Sequence, residues 1–112
     1  MNSFRIGTLN CQGLKGKYEL PEFREMVERC LIFGVCETWL KKDKDEKSSI
    51  NIPGYNFYAC SRVAEKGSSR GGVGVFIKEE YKKHIKILLD ISTENYLWCK
   101  LKKDFFNFQE DV

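Results

Sequence analysis

The stretch FRIGTLNCQGLKGKYELPEFREMVERCLIFGVCE, residues 4–37, decides the fold. Phe4 to Leu9 alternates side chains among β-compatible residues, and the polar, glycine-rich Asn10 to Gly16 supplies turn chemistry that ends the strand. Pro21 suits the first turn of a helix. From there Leu20, Phe23, Met26, Val27 and Cys30 recur at spacings of three and four, so an amphipathic helix is predicted over Pro21 to Cys30. Leu31 to Cys36, LIFGVC, is a continuous apolar run too short for a helix, and it reads as a strand buried on both faces. Strand, helix and strand with a crossover of this length predict a right-handed βαβ unit with two parallel strands side by side. Asn10 at the exit of the first strand and Glu37 at the exit of the second should therefore be neighbours.

Downstream, KKDKDEKSS at residues 41–49 mixes both charges and reads as a solvated loop. Pro53 and Gly54 then introduce YNFYAC, and GSSRGG at residues 67–72 precedes GVGVFI, so Tyr55 to Cys60 and Gly72 to Ile77 should pair antiparallel. Glycine alternating with Val and Phe implies close approach by another backbone or side chain. Lys78 to Lys83 reads as a short polar turn. HIKILLD and NYLWCKL read as two more strands, centred on Ile87 and Trp98, and the tail DFFNFQEDV is aromatic, then acidic, with no terminating signal.

The chain has 112 residues, 42% hydrophobic and 13% aromatic, which suits one globular domain and not a disordered tail. Its formal charge of +3, from 19 basic against 16 acidic residues, is too mild to argue for nucleic acid by itself. Five cysteines at irregular separations with a single histidine suggest neither zinc nor a disulfide framework, and each is read as a small buried hydrophobe. There is no signal-like leader and no apolar run near the roughly 18 residues that span a bilayer. The expected setting is a reducing compartment, nuclear or cytoplasmic, with no membrane partner.

A carboxylate that emerges at the end of a buried strand, beside an amide, can hold a hard divalent cation or orient a phosphate. Mg²⁺ uses few protein oxygens and keeps its waters for substrate. Capping a helix or pairing with a nearby lysine is the plainer role for the same carboxylate.

Four motifs carry a more specific reading: TLNCQGL at 8–14, CETWL at 36–40, IPGYNFY at 52–58 and RGGVGVFI at 70–77. In order and approximate spacing they resemble the endonuclease/exonuclease/phosphatase (DNase I-like) superfamily. The nearest likeness is to the apurinic-type endonuclease domains of LINE-like retrotransposons, down to NYLWCKLKKDFF at 95–106. The resemblance implies an α+β fold, the amino-terminal portion of a four-layer α/β/β/α sandwich with mixed sheets. It also implies Mg²⁺-dependent phosphodiester hydrolysis with DNA as partner. Glu37 matches the family's metal-binding glutamate, and Asn10 the asparagine that binds phosphate and arranges the metal site. The loop at Gly67 to Arg70 corresponds to one that approaches DNA, making Arg70 a candidate phosphate contact, although an ordinary exposed arginine explains it equally well.

The chain also departs from the family pattern. It has no G-D-x-N or S-D-H segment, Gln12 stands where some relatives carry an acidic residue, and Leu31 where an Asp often opens the strand. The family's general base, an Asp supported by a His-Asp pair, has no counterpart, and His84 is read as structural. Little or no activity is therefore expected from this chain alone. Two alternatives stand beside that reading: a non-catalytic interaction module, self-associating through uncovered sheet edges, and a phosphatase of the same superfamily. The aromatic residues Trp39, Trp98, Tyr55, Phe57 and Tyr58 are read as core packing in preference to base-stacking platforms.

Overall fold

A computed structural model describes residues 3–40, 50–61 and 71–112 of the chain. The 41–49 charge run and the 67–70 loop with Arg70 lie outside the described residues. The architecture is mixed α+β, built on a four-stranded mixed sheet in the order β1-β2-β4-β3. Its strands are β1 (Ile6–Asn10), β2 (Ile32–Cys36), β3 (Tyr55–Cys60) and β4 (Val73–Lys78). β1 runs parallel to β2, setting Ile6 opposite Ile32 and Asn10 opposite Cys36, while β4 runs antiparallel to both β2 and β3. The expected parallel pair and antiparallel pair are both present.

The helix α1 (Pro21–Glu28) connects β1 to β2 and starts on Pro21, whose missing N–H costs nothing in a first turn. Phe23 and Val27, four residues apart, are its buried face. It stops two residues short of the expected Cys30, and the Tyr55 hydroxyl reaches the Val27 and Cys30 carbonyls there, at 2.9 and 2.6 Å. α1 packs against one face of the sheet, where Phe33 and Val35 from β2 and Phe76 from β4 complete a core with Leu14, Leu40 and Ile52. Gly74 in β4 answers to the expected close approach: a Cβ there would lie 2.6 Å from the Phe57 ring.

The other face of the sheet holds a second core. Ile32, Val75 and Ile77 meet Ile85, Leu101 and Phe106, so β2 and β4 are buried on both sides. Covering that face is a two-stranded antiparallel sheet of β5 (Ile85–Ile87) and β6 (Cys99–Leu101), with the short helix α2 (Lys103–Phe106) beyond it. The layers of the described residues are thus α1, the mixed sheet, and the β5–β6 pair with α2.

Three sequence expectations are corrected here. Residues 79–84 form a 3-10 helix in place of a simple turn. Trp98 is 54% exposed and precedes β6, so it is neither the centre of a strand nor core. Cys36 is exposed; only Cys11 of the five cysteines is fully buried. In the last segment Asn107 ends α2 in the left-handed conformation, Phe106 is buried, and Val112 N–H donates to the Leu101 carbonyl at 3.1 Å.

The contacts around the second core carry a pH signature. Burial, assisted by Lys83 and Lys102, holds the His84 imidazole below the ordinary histidine value, in keeping with its stacking on Phe105 at 3.7 Å. Glu79 is lowered by hydrogen bonds from Lys82 and Asn56, and Asp111 by the Lys103 N–H and by Lys100. All three are depressed, so each contributes stability above its unfolded-state value that is lost as pH falls through the folded one. Thermal unfolding followed by circular dichroism should show Tm declining first below about pH 6.5 and again below about pH 4. His84→Gln should remove the first decline, and a wild-type Tm that rises on acidification would contradict these assignments.

Candidate functional site

The carboxyl ends of β1 and β2 are where parallel strands deliver side chains to a common rim. β1 ends at Asn10, exposed, and its register partner Cys36 immediately precedes Glu37, which is half-buried. The two residues singled out in the sequence are therefore brought to adjacent strand ends. Neither the Asn10 amide nor the Glu37 carboxylate is engaged in a hydrogen bond or ion pair with the described residues, so both remain available to a ligand.

The backbone at this rim departs from strand geometry in three segments at once. Gln12, Glu37 and Trp39 have φ of 45°, 51° and 56°, and Gly13, Gly71 and Gly72 have φ of 102°, 94° and 89°. Left-handed backbone in a residue with a side chain costs about 1–3 kcal/mol and persists where surrounding structure enforces it. Here the enforcement is a lattice of backbone hydrogen bonds. Cys11, Gly13 and Leu14 donate to the carbonyls of Cys36, Glu37 and Thr38 at 3.0, 2.9 and 2.9 Å, and Trp39 donates to Gly71 at 2.9 Å. At Glu37 the left-handed turn breaks the alternation that a continuing strand would impose.

Two side chains brace the rim from below. The buried Cys11 thiol donates toward the carbonyls of Cys36 and Glu37 at 3.2 and 3.4 Å, and the Lys17 ammonium donates to the Cys11 carbonyl. Burial pushes the Cys11 thiol above the ordinary thiol value, against the opposing Gly13 N–H and Lys17 charge, so the group is a protonated strut and not a nucleophile. Trp39 lies over Gly13, where a Cβ would come within 3.0 Å of its ring.

Sequence reading missed Thr38 and Gly72. Thr38 is 1% exposed and its hydroxyl has no hydrogen-bond partner among the described residues, while a Cβ on Gly72 would lie 2.6 Å from that oxygen. The Gly71–Gly72 doublet was the available signal, since paired glycines before a strand often mark positive φ. Arg70 lies outside the described residues, so its candidate role gains no geometry; its neighbour Gly71 is at the rim.

As a cation site this donor set is sparse. Among the described residues no group of three or more His, Cys, Asp or Glu side chains gathers to hold a metal. One carboxylate and one amide nevertheless suit Mg²⁺, which is commonly bound by one or two carboxylates with water and phosphate oxygens completing the shell. They do not suit zinc, which takes three or four nitrogen or sulfur donors.

Asn10 also stands at the end of an apolar groove of about 580 Å³ along the sheet, lined by Ile6, Thr8, Gly34, Cys36, Val73 and Leu97. No helix among the described residues is long and apolar enough to cross a membrane. Compared with protein-family models and with curated proteins, the sequence finds no match.

Proposed function

We propose that this chain carries the metal- and phosphate-binding part of a Mg²⁺-dependent phosphodiesterase acting on DNA, within a DNase I-like four-layer sandwich. One observation carries the reading: an uncommitted carboxylate and an uncommitted amide stand at adjacent carboxyl ends of a parallel strand pair, on a rim held in left-handed backbone. The mixed sheet, the β5–β6 pair facing it and the four sequence motifs in register add support.

In this reading Glu37 holds Mg²⁺, and Asn10 donates its amide hydrogens to a phosphoryl oxygen. The cation, when bound, neutralises charge that develops on the phosphoryl oxygens. Hydrolysis also needs a base to take the proton of the attacking water. His84, the single histidine, is stacked on Phe105 at the end of the 3-10 helix that follows Lys78, and Lys78 closes β4 at the end away from Val73 and Cys36. The chain is thus equipped to bind and orient a phosphodiester, and not to cleave it efficiently.

A plasmid-nicking assay with Mg²⁺ should stay near background for the wild type, while retention of DNA in the same buffer rises with Mg²⁺ and fails to rise for Glu37→Gln. Equal Mg²⁺ response in both proteins would remove Glu37 from the site. Glu37-dependent nicking would mean that these residues also supply the base.

A second reading is favoured by the edge. Among the described residues β1 has an unpaired side, Ile6 on it is 58% exposed, and Ile91, Tyr96 and Trp98 are each more than half exposed. Such edges invite pairing with another chain. Self-association predicts a sedimentation coefficient that climbs with protein concentration; a dispersed monomer across the range would exclude it.

A further inference from the structure

The amino-terminal ends of β1 and β2 and the carboxyl end of the antiparallel β4 form a second concavity, at the opposite end of the sheet from Glu37. Arg5, Leu31 and Lys78 follow one another across it: the Leu31 N–H donates to the Arg5 carbonyl at 2.9 Å, and the Lys78 N–H to the Leu31 carbonyl at 3.0 Å. Neighbouring strands lie about 4.8 Å apart, so the backbones of the two basic residues stand about 10 Å apart on either side of Leu31. A pocket of about 510 Å³ opens there. Arg5, Arg29 and Lys78 line it together with Glu28 and the rings of Phe4 and Tyr81.

Three cations and one carboxylate line a single concavity, and two of the cations lean on carboxylates outside that lining. The cations are also available. Arg5 makes no ion pair among the described residues. Arg29 pairs with Glu25 at 2.6 Å and Lys78 with Glu80 at 3.7 Å, all four side chains being at least 42% exposed. Exposed pairs of this kind contribute little and are readily exchanged for a stronger anion.

We propose that this pocket binds a small anion carrying a diphosphate or triphosphate group. Two guanidinium forks match phosphate oxygens in pairs, and Lys78 adds a point charge. Three cations drawn from three separate segments suit several linked phosphates better than one carboxylate. The volume is that of a small-molecule site, and Phe4, held edge-on by Phe106 at 5.2 Å, and Tyr81 provide a firm aromatic wall for whatever the phosphates are attached to. Nothing in this site depends on Glu37 or on a bound metal.

Inorganic pyrophosphate titrated into the full chain in metal-free buffer, followed by calorimetry, tests it. Saturable one-site binding is expected, weakened about tenfold or more by Arg5→Gln and by Lys78→Gln. Lys86→Gln removes the same charge from an exposed position outside the pocket and should leave the affinity unchanged, with thermal unfolding confirming that all variants fold. Three results would overturn the proposal: no saturable binding, an equal loss in Lys86→Gln, or an oligonucleotide that binds through Arg5 and Lys78 while pyrophosphate does not.

Discussion

Phe76→Ala is expected to lower folding stability by about 3–5 kcal/mol, a large part of the roughly 5–15 kcal/mol that holds a domain of this kind together. Phe76 is 0% exposed on β4, which is bonded to β2 on one side and β3 on the other. Its ring meets Phe57 at 4.6 Å and Phe23 of α1 at 6.0 Å, so removing it opens a cavity where helix, central strand and edge strand converge. A chain of 112 residues buries a smaller share of its surface than a longer one and has less packing to redistribute. Urea unfolding should show the midpoint falling sharply with the slope retained. A loss below about 1 kcal/mol would mean that the site collapses around the smaller residue or that this core is not as described.

Much of the sheet could be read from the chain because its signals are local. Pro21 and the stripe of Phe23 and Val27 announce a helix between two strands, and that connection alone dictates parallel pairing of β1 with β2. The adjacency of Asn10 and Glu37 follows from it. The antiparallel β3–β4 pair was equally legible, from turn residues followed by alternating apolar ones.

Other features depend on contacts between residues far apart in the chain. Left-handed backbone at Gln12, Glu37 and Trp39 leaves no mark on residue type, because it is imposed by hydrogen bonds from the 11–14 and 71–72 segments. The unpartnered Thr38 hydroxyl likewise becomes visible only once Gly72 is placed beside it. At the other end of the chain, DFFNFQEDV has too few residues for a clear period, yet Phe105, Phe106 and Phe108 all pack into the second core. Trp98 was misassigned for a related reason: strand-forming composition extends beyond the three residues of β6 that pair.

The claim on which the functional account rests is that Glu37, beside Asn10, receives a hard divalent cation. Its carboxylate is the single acidic group at the rim proposed to contact the metal, and an amide in its place removes the negative charge while keeping the shape. Glu37→Gln is therefore expected to weaken cation affinity by at least about tenfold. Paramagnetic broadening of backbone amide signals by substoichiometric Mn²⁺, standing in for Mg²⁺, reads this directly. The account predicts that signals of residues 10–13, 37–39 and 71–72 broaden first, and that the effect disappears in Glu37→Gln. Broadening centred on the acidic residues near Asp104 and Asp111, or a pattern unchanged by Glu37→Gln, would contradict it.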